Sequence, residues 1–351
     1  MIISQTPYRI SFFGGGTDYP DWYLQNGGQV LSTTIDKYIY ISCRYLPPFF
    51  DHKLRLAYSK VEICQSADEL EHPAVRETLM YLGKLDGLEI HYDGDLPSRS
   101  GMGSSSAFTV GLIKALKGLE KKSVDPHQLC LDAIHIEQER LGESVGSQDQ
   151  VNAAYGGFNN IVFHKSGEIE VRSLDVSRER IDQLNGNLML FYTGIMRTAE
   201  TVSVTYAKNT ANKRAQLEKL YDLVDEGIKI VKSDSSFDHF GELLHECWVE
   251  KRGLSSKVSN TRVDKIYQDA RGAGALGGKL CGAGGGGMML FYVPRDRQQE
   301  VRETLSHLFY VPIKFSNLGS RIIFTSKQED YEDETLNQFS KIDKFVEMTE
   351  I

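Results

Sequence analysis

The 351-residue sequence predicts an α+β fold. Three observations carry that reading: strand-like alternation in the first half, amphipathic segments of helical period beside it, and a second half that mixes helices with further strands. Tyr38–Leu46 and Lys53–Tyr58 alternate apolar or aromatic residues with others, the period of a strand with one buried face. Glu89–Tyr92 is a third such run and ends in the turn-like Asp93-Gly94-Asp95. Ala107–Leu119 sets Phe108, Leu112, Leu116 and Leu119 on one helical face. A second helix fits His127–Leu141 and stops at Gly142. Asn160–Phe163 and Ile169–Val171 read as a hairpin around Ser166-Gly167, and Leu188–Thr193 as a buried strand. Ala199–Lys232, Phe237–Arg252 and Arg262–Arg271 read as helices. A strand at Met288–Val293, a helix at Arg295–Leu308 and strands at Ile313–Ser316 and Arg321–Thr325 follow, then a charged, helical tail from Gln328. A domain boundary is expected between residues 180 and 190.

Composition narrows the function. Hydrophobic residues make up 40% and charged residues 25%, the profile of a soluble globular chain. No run of about 18 apolar residues offers a membrane span, and the first residues, MIISQTPYRI, do not read as a signal peptide. The five cysteines, Cys43, Cys64, Cys130, Cys247 and Cys281, are scattered without a CxxC pair, so reduced thiols and a cytoplasmic location are expected. A net charge of −8 without a basic block argues against a nucleic-acid partner. Backbone N–H groups and single basic residues must then attract any anionic ligand.

The sharpest segment is Pro97–Ala107, PSRSGMGSSSA, between a strand and an amphipathic helix. Gly101 and Gly103 permit tight backbone, and Ser104, Ser105 and Ser106 open the helix. Unpaired N–H groups and the helix dipole favour an anion there, beyond what an N-cap needs. No Walker A loop is present: around Gly278-Lys279, Ala273 and Leu280 stand where Gly and Ser/Thr belong. Gly282–Gly287 matches GxGxxG, but a strand rather than a helix follows, which argues against a dinucleotide site.

Cys130, Ile134, Glu137 and Leu141 share a helical stripe, so Glu137 interrupts an apolar face while Glu139 lies elsewhere and is solvated. A buried carboxylate needs a partner, either a salt bridge or a metal ion. The Gly-punctuated loop after Gly142 carries Asp149, either a helix cap or a second carboxylate for the cleft. At the N-terminus, TPYRISFFGGGTDY ends a strand in Gly14-Gly15-Gly16 followed by Thr17 and Asp18. Arg9 alternates with Tyr8 and Ile10 and can point inward. In KLCGAGGGG, Lys279–Gly287, the glycines indicate a close neighbour, either ligand or backbone.

Together the N-terminal PYRISFFGGGTDY, the PxxxGxGSSSA loop and KLCGAGGGG resemble, in order, the three motifs of the GHMP kinases, whose name joins galacto-, homoserine, mevalonate and phosphomevalonate kinases. GGGTDY and GSQDQ (146–150) are similar to the sugar-kinase branch. FYTGIMRTAETV (191–202) and WVEKRGLS (248–255) look like its bacterial D-glycero-D-manno-heptose 7-phosphate kinases. The resemblance implies a ribosomal S5 domain 2-like N-terminal domain over 1–185 and a ferredoxin-like C-terminal domain over 186–351. ATP would be the co-substrate, bound by Pro97, Ser100, Gly101, Met102, Gly103, Ser104, Ser105 and Ser106. Met102 stands where Leu is usual, a swap that conserves volume. Ser105 and Glu137 would hold Mg²⁺. Asp149 falls on the catalytic carboxylate and Arg9 on its basic partner. Gly15, Gly16, Thr17, Asp18, Gly284 and Gly285 would line the sugar site. Arg197, Lys251 and Arg252 are candidates for a substrate phosphate. The expected reaction is phosphoryl transfer to the anomeric hydroxyl of heptose 7-phosphate, with fucokinase- or galactokinase-like activity or a non-catalytic sugar sensor as alternatives. The expected ligands are thus a sugar phosphate and ATP, without nucleic acid or membrane, and a homodimer is compatible with the sequence.

Overall fold

The computed structural model describes residues 1–47, 50–84, 86–195 and 213–326. Two antiparallel-rich sheets and their helices share one interior. The larger sheet is built around two long strands, β1 (Ile2–Phe13) and β2 (Gly28–Tyr45), joined through the short helix α1 (Pro20–Asn26). The first half of β2 pairs with β6 (Phe158–Phe163), which pairs with β7 (Ile169–Ser173); its second half pairs with β5 (Leu88–Gly94). Beyond β5 lie β3 (Leu54–Ala57), parallel to it, and the edge strand β4 (Val61–Cys64). Two strands from the far end of the chain complete this sheet: β12 (Phe315–Ser316) on β2 and β13 (Arg321–Thr325) on β1. The second sheet is β11 (Phe309–Val311), β8 (Leu188–Tyr192), β10 (Met288–Tyr292) and β9 (Gly277–Leu280), in that order.

Helices α2 (Pro73–Tyr81), α3 (Ser104–Leu119), α4 (Pro126–Ile134) and α5 (Gln148–Tyr155) belong to the first half. Helices α6 (Arg178–Gly186), α7 (Arg214–Lys232), α8 (Asp238–Leu254), α9 (Thr261–Gly272) and α10 (Gln298–Thr304) belong to the second. The strand β1 alternates in exposure at its start and is buried throughout from Thr6 to Phe13. Its later half is covered on both faces because α3 and α5 reach it from one half of the chain and α7 and α8 from the other. Phe12 and Phe13 meet Phe240 of α8 edge-on, with ring centroids 5.3 and 5.0 Å apart, an arrangement aromatic quadrupoles favour. The two halves therefore close on β1, the strand that carries Arg9.

Most expected elements form, with shifted ends. Helix 127–141 divides: regular α geometry ends at Ile134, and a π-helical turn spans His135–Arg140. The helix expected over Arg295–Leu308 is a 3₁₀ turn followed by α10, and chain 309–311 turns into a strand that fills the edge of the second sheet. The first part of the helix expected over 199–232, like the tail from 328, lies outside the described residues.

Candidate active site

The serine-rich loop turns as glycine chemistry demands. Gly101 and Gly103 have φ of 82° and 76°, and Gly103 is the N-cap of α3. A Cβ on Gly101 would stand 2.4 Å from the Cys281 carbonyl oxygen, and one on Gly287 only 2.2 Å from that of Ser100. The Met288 N–H donates to the same Ser100 oxygen at 3.0 Å. The close neighbour of the KLCGAGGGG glycines is therefore backbone: this segment is laid directly against the serine loop. Gly284 and Gly285 face Val258 instead, Gly285 N–H donating to its carbonyl at 2.8 Å. Met102 is fully buried, while Pro97 and Ser105 are exposed at the surface of the loop.

Beneath Gly103 lies the Arg9–Asp149 pair. Arg9 Nε and Nη2 donate to the two Asp149 oxygens at 2.6 and 2.8 Å, a bidentate geometry that fixes the carboxylate plane. Arg9 Nη1 donates to the Gly101 carbonyl at 2.8 Å, and the Arg9 backbone N–H to that of Met102 at 3.1 Å. A Cβ on Gly103 would lie 3.4 Å from Asp149 Oδ2. Loop, arginine and carboxylate are thus one assembly. The β1–β2 register slips on either side, between Pro7 and Arg9 and between Ser11 and Phe13, and such bulges re-aim side chains.

Helix α5 opens with three consecutive side chains that fan to three different groups. Gln148 Nε2 donates to Asp18 Oδ2 at 2.9 Å, Asp149 takes Arg9, and Gln150 Nε2 donates to Glu137 Oε2 at 2.6 Å. Glu137 is 1% exposed and also accepts from Ser106 Oγ at 2.8 Å. Burial pushes its carboxyl up to about 8, against the hydrogen bonds from Ser106 and Gln150. The serine brought to Glu137 is Ser106; Ser105 is its neighbour on the first turn of α3.

Glu137 Oε1 has no hydrogen-bond partner. No cationic side chain pairs with this glutamate among the described residues, and none of these gathers three or more His, Cys, Asp or Glu into a metal cage. Mg²⁺ takes only one or two carboxylates when phosphates complete its shell, so a lone, unpaired carboxylate oxygen beside a serine loop fits that ion.

Asp18 is 1% exposed and accepts from the Gly16 N–H and Gln148, both at 2.9 Å. Burial raises its carboxyl, the two hydrogen bonds oppose this, and the nearby Asp149 charge adds to the rise. Thr17 closes the turn, its hydroxyl donating to the carbonyls of Gly14 and Gln29. Of the phosphate candidates, Lys251 Nζ donates to the Gly282 carbonyl at 2.5 Å and Arg252 pairs with Asp264 at 3.3 Å. Arg197 lies outside the described residues. Sequence reasoning did not single out Gln148, Gln150 or Lys279 as functional. Only the run Gln148-Asp149-Gln150 hinted at the first two. Lys279, 1% exposed, donates to the carbonyls of Ser11 and Phe12 at 2.7 and 2.8 Å and so ties the second sheet to β1.

Among the described residues no helix is long and apolar enough to cross a membrane. Residues 68–157 match the GHMP kinases N terminal domain, and residues 228–311 the GHMP kinases C terminal domain. A D-glycero-alpha-D-manno-heptose 7-phosphate kinase from Campylobacter jejuni is 29% identical over 317 residues, 87% of this chain and 93% of the relative. A galactokinase from Pyrococcus furiosus is 25% identical over 337 residues, 87% of this chain and 92% of its own length. The crystal structure of a D-glycero-D-manno-heptose 1-phosphate kinase from Bacteroides thetaiotaomicron shares the fold, with a TM-score of 0.77 over 93% of this chain and all of that one, at 24% identity. With both family domains in order around a serine loop, an Arg–Asp pair and a glycine-rich clamp, the chain belongs to the GHMP kinase family.

Proposed function

We propose that this kinase transfers the γ-phosphoryl group of ATP to a sugar hydroxyl, and that Asp149 takes the hydroxyl proton. The observation that carries the reading is the bidentate Arg9–Asp149 pair beneath Gly103. As the sugar oxygen attacks the γ-phosphorus, its proton passes to Asp149. The bond to the β–γ bridging oxygen breaks, and ADP leaves with that electron pair. The transition state is loose, so positioning and charge neutralisation supply most of the acceleration. The backbone N–H groups from Gly101 to Ser106 hold the phosphates at the start of α3. Glu137 and Ser105 would hold Mg²⁺, with Ser106 and Gln150 fixing the glutamate; when bound, the ion neutralises phosphate charge.

The substrate reading is the anomeric hydroxyl of D-glycero-D-manno-heptose 7-phosphate, giving the 1,7-bisphosphate. The Campylobacter relative and the segments at 191–202 and 248–255 support it. Gly15, Gly16, Thr17 and Asp18 would face the sugar, Gly284 and Gly285 would shape the cleft, and Arg197 would take its phosphate. In this reading residues 1–185 and 186–351 are the two domains, the second returning β12 and β13 to the first sheet.

The test is Asp149→Asn assayed with Mg·ATP and heptose 7-phosphate, galactose, fucose and mannose. Turnover should fall about 10²–10⁴-fold, the usual worth of a general base, with nucleotide affinity unchanged by calorimetry. Wild-type turnover in the variant overturns the assignment, and the preferred sugar of the panel decides the substrate.

A further inference from the structure

Among the described residues two non-glycine positions have a left-handed backbone, Arg99 at φ +60° and Lys121 at φ +59°. Lys121 follows the last turn of α3, and its N–H donates to the Gly118 carbonyl at 2.9 Å, an ordinary way to end a helix. Arg99 has no helix before it. It stands in the turn between β5 and α3, two residues ahead of Gly101. The other left-handed positions of that loop, 101 and 103, are glycine. Glycine would adopt the same conformation at 99 without steric cost, so the backbone does not account for an arginine there.

The residue is tied to the helix start. Its backbone N–H donates to Ser104 Oγ at 3.3 Å, and Ser104 is the first residue of α3. Arg99 is exposed, and its guanidinium makes no hydrogen bond or ion pair among the described residues. The next residue, Ser100, is 1% exposed, and its Oγ has no hydrogen-bond partner either. Buried polar atoms without partners are costly and rare. A buried hydroxyl and an unneutralised cation therefore stand on consecutive residues of the serine loop.

Charge sets a further requirement. The site gathers three carboxylates, Asp18, Glu137 and Asp149, through the first turn of α5. The basic residues described around it are committed. Arg9 is held by Asp149 and the Gly101 carbonyl, Lys251 donates to the Gly282 carbonyl, Lys279 to those of Ser11 and Phe12, and Arg252 pairs with Asp264. The phosphates of a nucleotide stay anionic with one Mg²⁺ bound, and a net charge of −8 does not attract them. The N–H groups at the start of α3 supply partial charge only. From Pro97 to Ala107 the sole cation is Arg99.

We propose that the Arg99 guanidinium holds the phosphates of the bound nucleotide across the start of α3. The inference rests on the kinase reading above. Arginine suits that ligand because its planar fork donates paired N–H bonds to phosphate oxygens.

The experiment is calorimetric titration of Mg·ATP into the full chain, with steady-state kinetics on the same four sugars, for Arg99→Gly and Arg99→Lys. Glycine removes the guanidinium and suits the left-handed backbone, so the Tm of Arg99→Gly should stay close to wild type. Its Kd and KM for Mg·ATP should rise about 10- to 100-fold, the scale of a lost hydrogen bond to a charged group. The KM for the preferred sugar should not change. Arg99→Lys keeps the charge without the fork and should recover part of the loss. Unchanged nucleotide Kd and KM in Arg99→Gly, with the wild type active, overturn the proposal. A rise confined to the sugar KM also overturns it, since the arginine then serves the acceptor. A wild type that binds no Mg·ATP sinks the kinase reading instead, and this one with it.

Discussion

Two buried glutamates in this chain meet opposite fates. Glu89, 5% exposed, lies on β5 in register with Arg44 of β2 and Arg55 of β3, and takes bonds from both and from His91. Burial alone would raise its carboxyl; the bonds from His91, Arg44 and Arg55 outweigh that and bring it down to about 2. Glu137, 1% exposed, receives neutral donors, Ser106 and Gln150 among them, and rises to about 8. The contrast separates a carboxylate held in an ion cluster from one held by neutral donors alone. Cross-strand register supplies the cations to Glu89. Glu137 lies in the π-helical turn at 135–140 and meets a serine and an amide, and such turns are frequent at functional sites.

The largest expected effect breaks or keeps that contrast directly. Glu137→Gln should lower kcat at least about 10²-fold, as loss of a preorganised charge does, while Glu89→Gln should leave kcat within about twofold. Comparable losses in both would erase the distinction.

Stability should follow the reverse order. Glu89→Gln should destabilise by about 1–2 kcal/mol in urea unfolding; the shift from 4.5 to about 2 sets an upper bound near 3 kcal/mol, reduced because Arg44 is 45% exposed and screened. Glu137→Gln should be neutral or stabilising in metal-free protein, since it removes a desolvated acid.

The pH limbs sharpen the comparison further. The folded value of Glu89 is depressed, so its contribution is present above 4.5 and is lost as pH falls toward 2. The folded value of Glu137 is raised, so its contribution is full below 4.5 and is lost as pH rises toward 8. Thermal melts from pH 3 to 9 should therefore lose the acid limb in Glu89→Gln and the alkaline limb in Glu137→Gln. Limbs identical to wild type in both variants count against the electrostatic account.

The smallest effect concerns the clamp. Lys279→Arg should keep a donor for the Ser11 and Phe12 carbonyls and hold activity within a few-fold, whereas Lys279→Met should cost more because two buried carbonyls lose their partner. Equal kcat/KM in the two variants would show that the clamp does not position β1.

Much of this was readable from local pattern. The helix from Ser104 to Leu119 announced itself through an apolar face and a Gly-Ser start, since the 3.6-residue period is written in the side chains. The inward position of Glu137 followed from the same periodicity, and Glu139 is exposed as expected. What the period leaves open is which neighbour a side chain meets. That Ser106 turns to Glu137 depends on how α3 is docked against α4 and the π-helical turn that continues it. That the glycines near Cys281 face backbone depends on two loops nearly 190 residues apart being pressed together.

The sequence by itself determined the α+β architecture, the glycine–serine loop at the start of α3 and the candidate carboxylates, because turn chemistry, capping and amphipathic period are local properties. Only the tertiary structure decided the bidentate hold of Arg9 on Asp149, the fan of Gln148, Asp149 and Gln150, and the reach of Lys279 to β1. Those contacts join residues 13 to 268 positions apart. Their energies come from geometry in a dry interior, where the position of a partner, rather than its mere presence in the chain, decides whether a charge is satisfied.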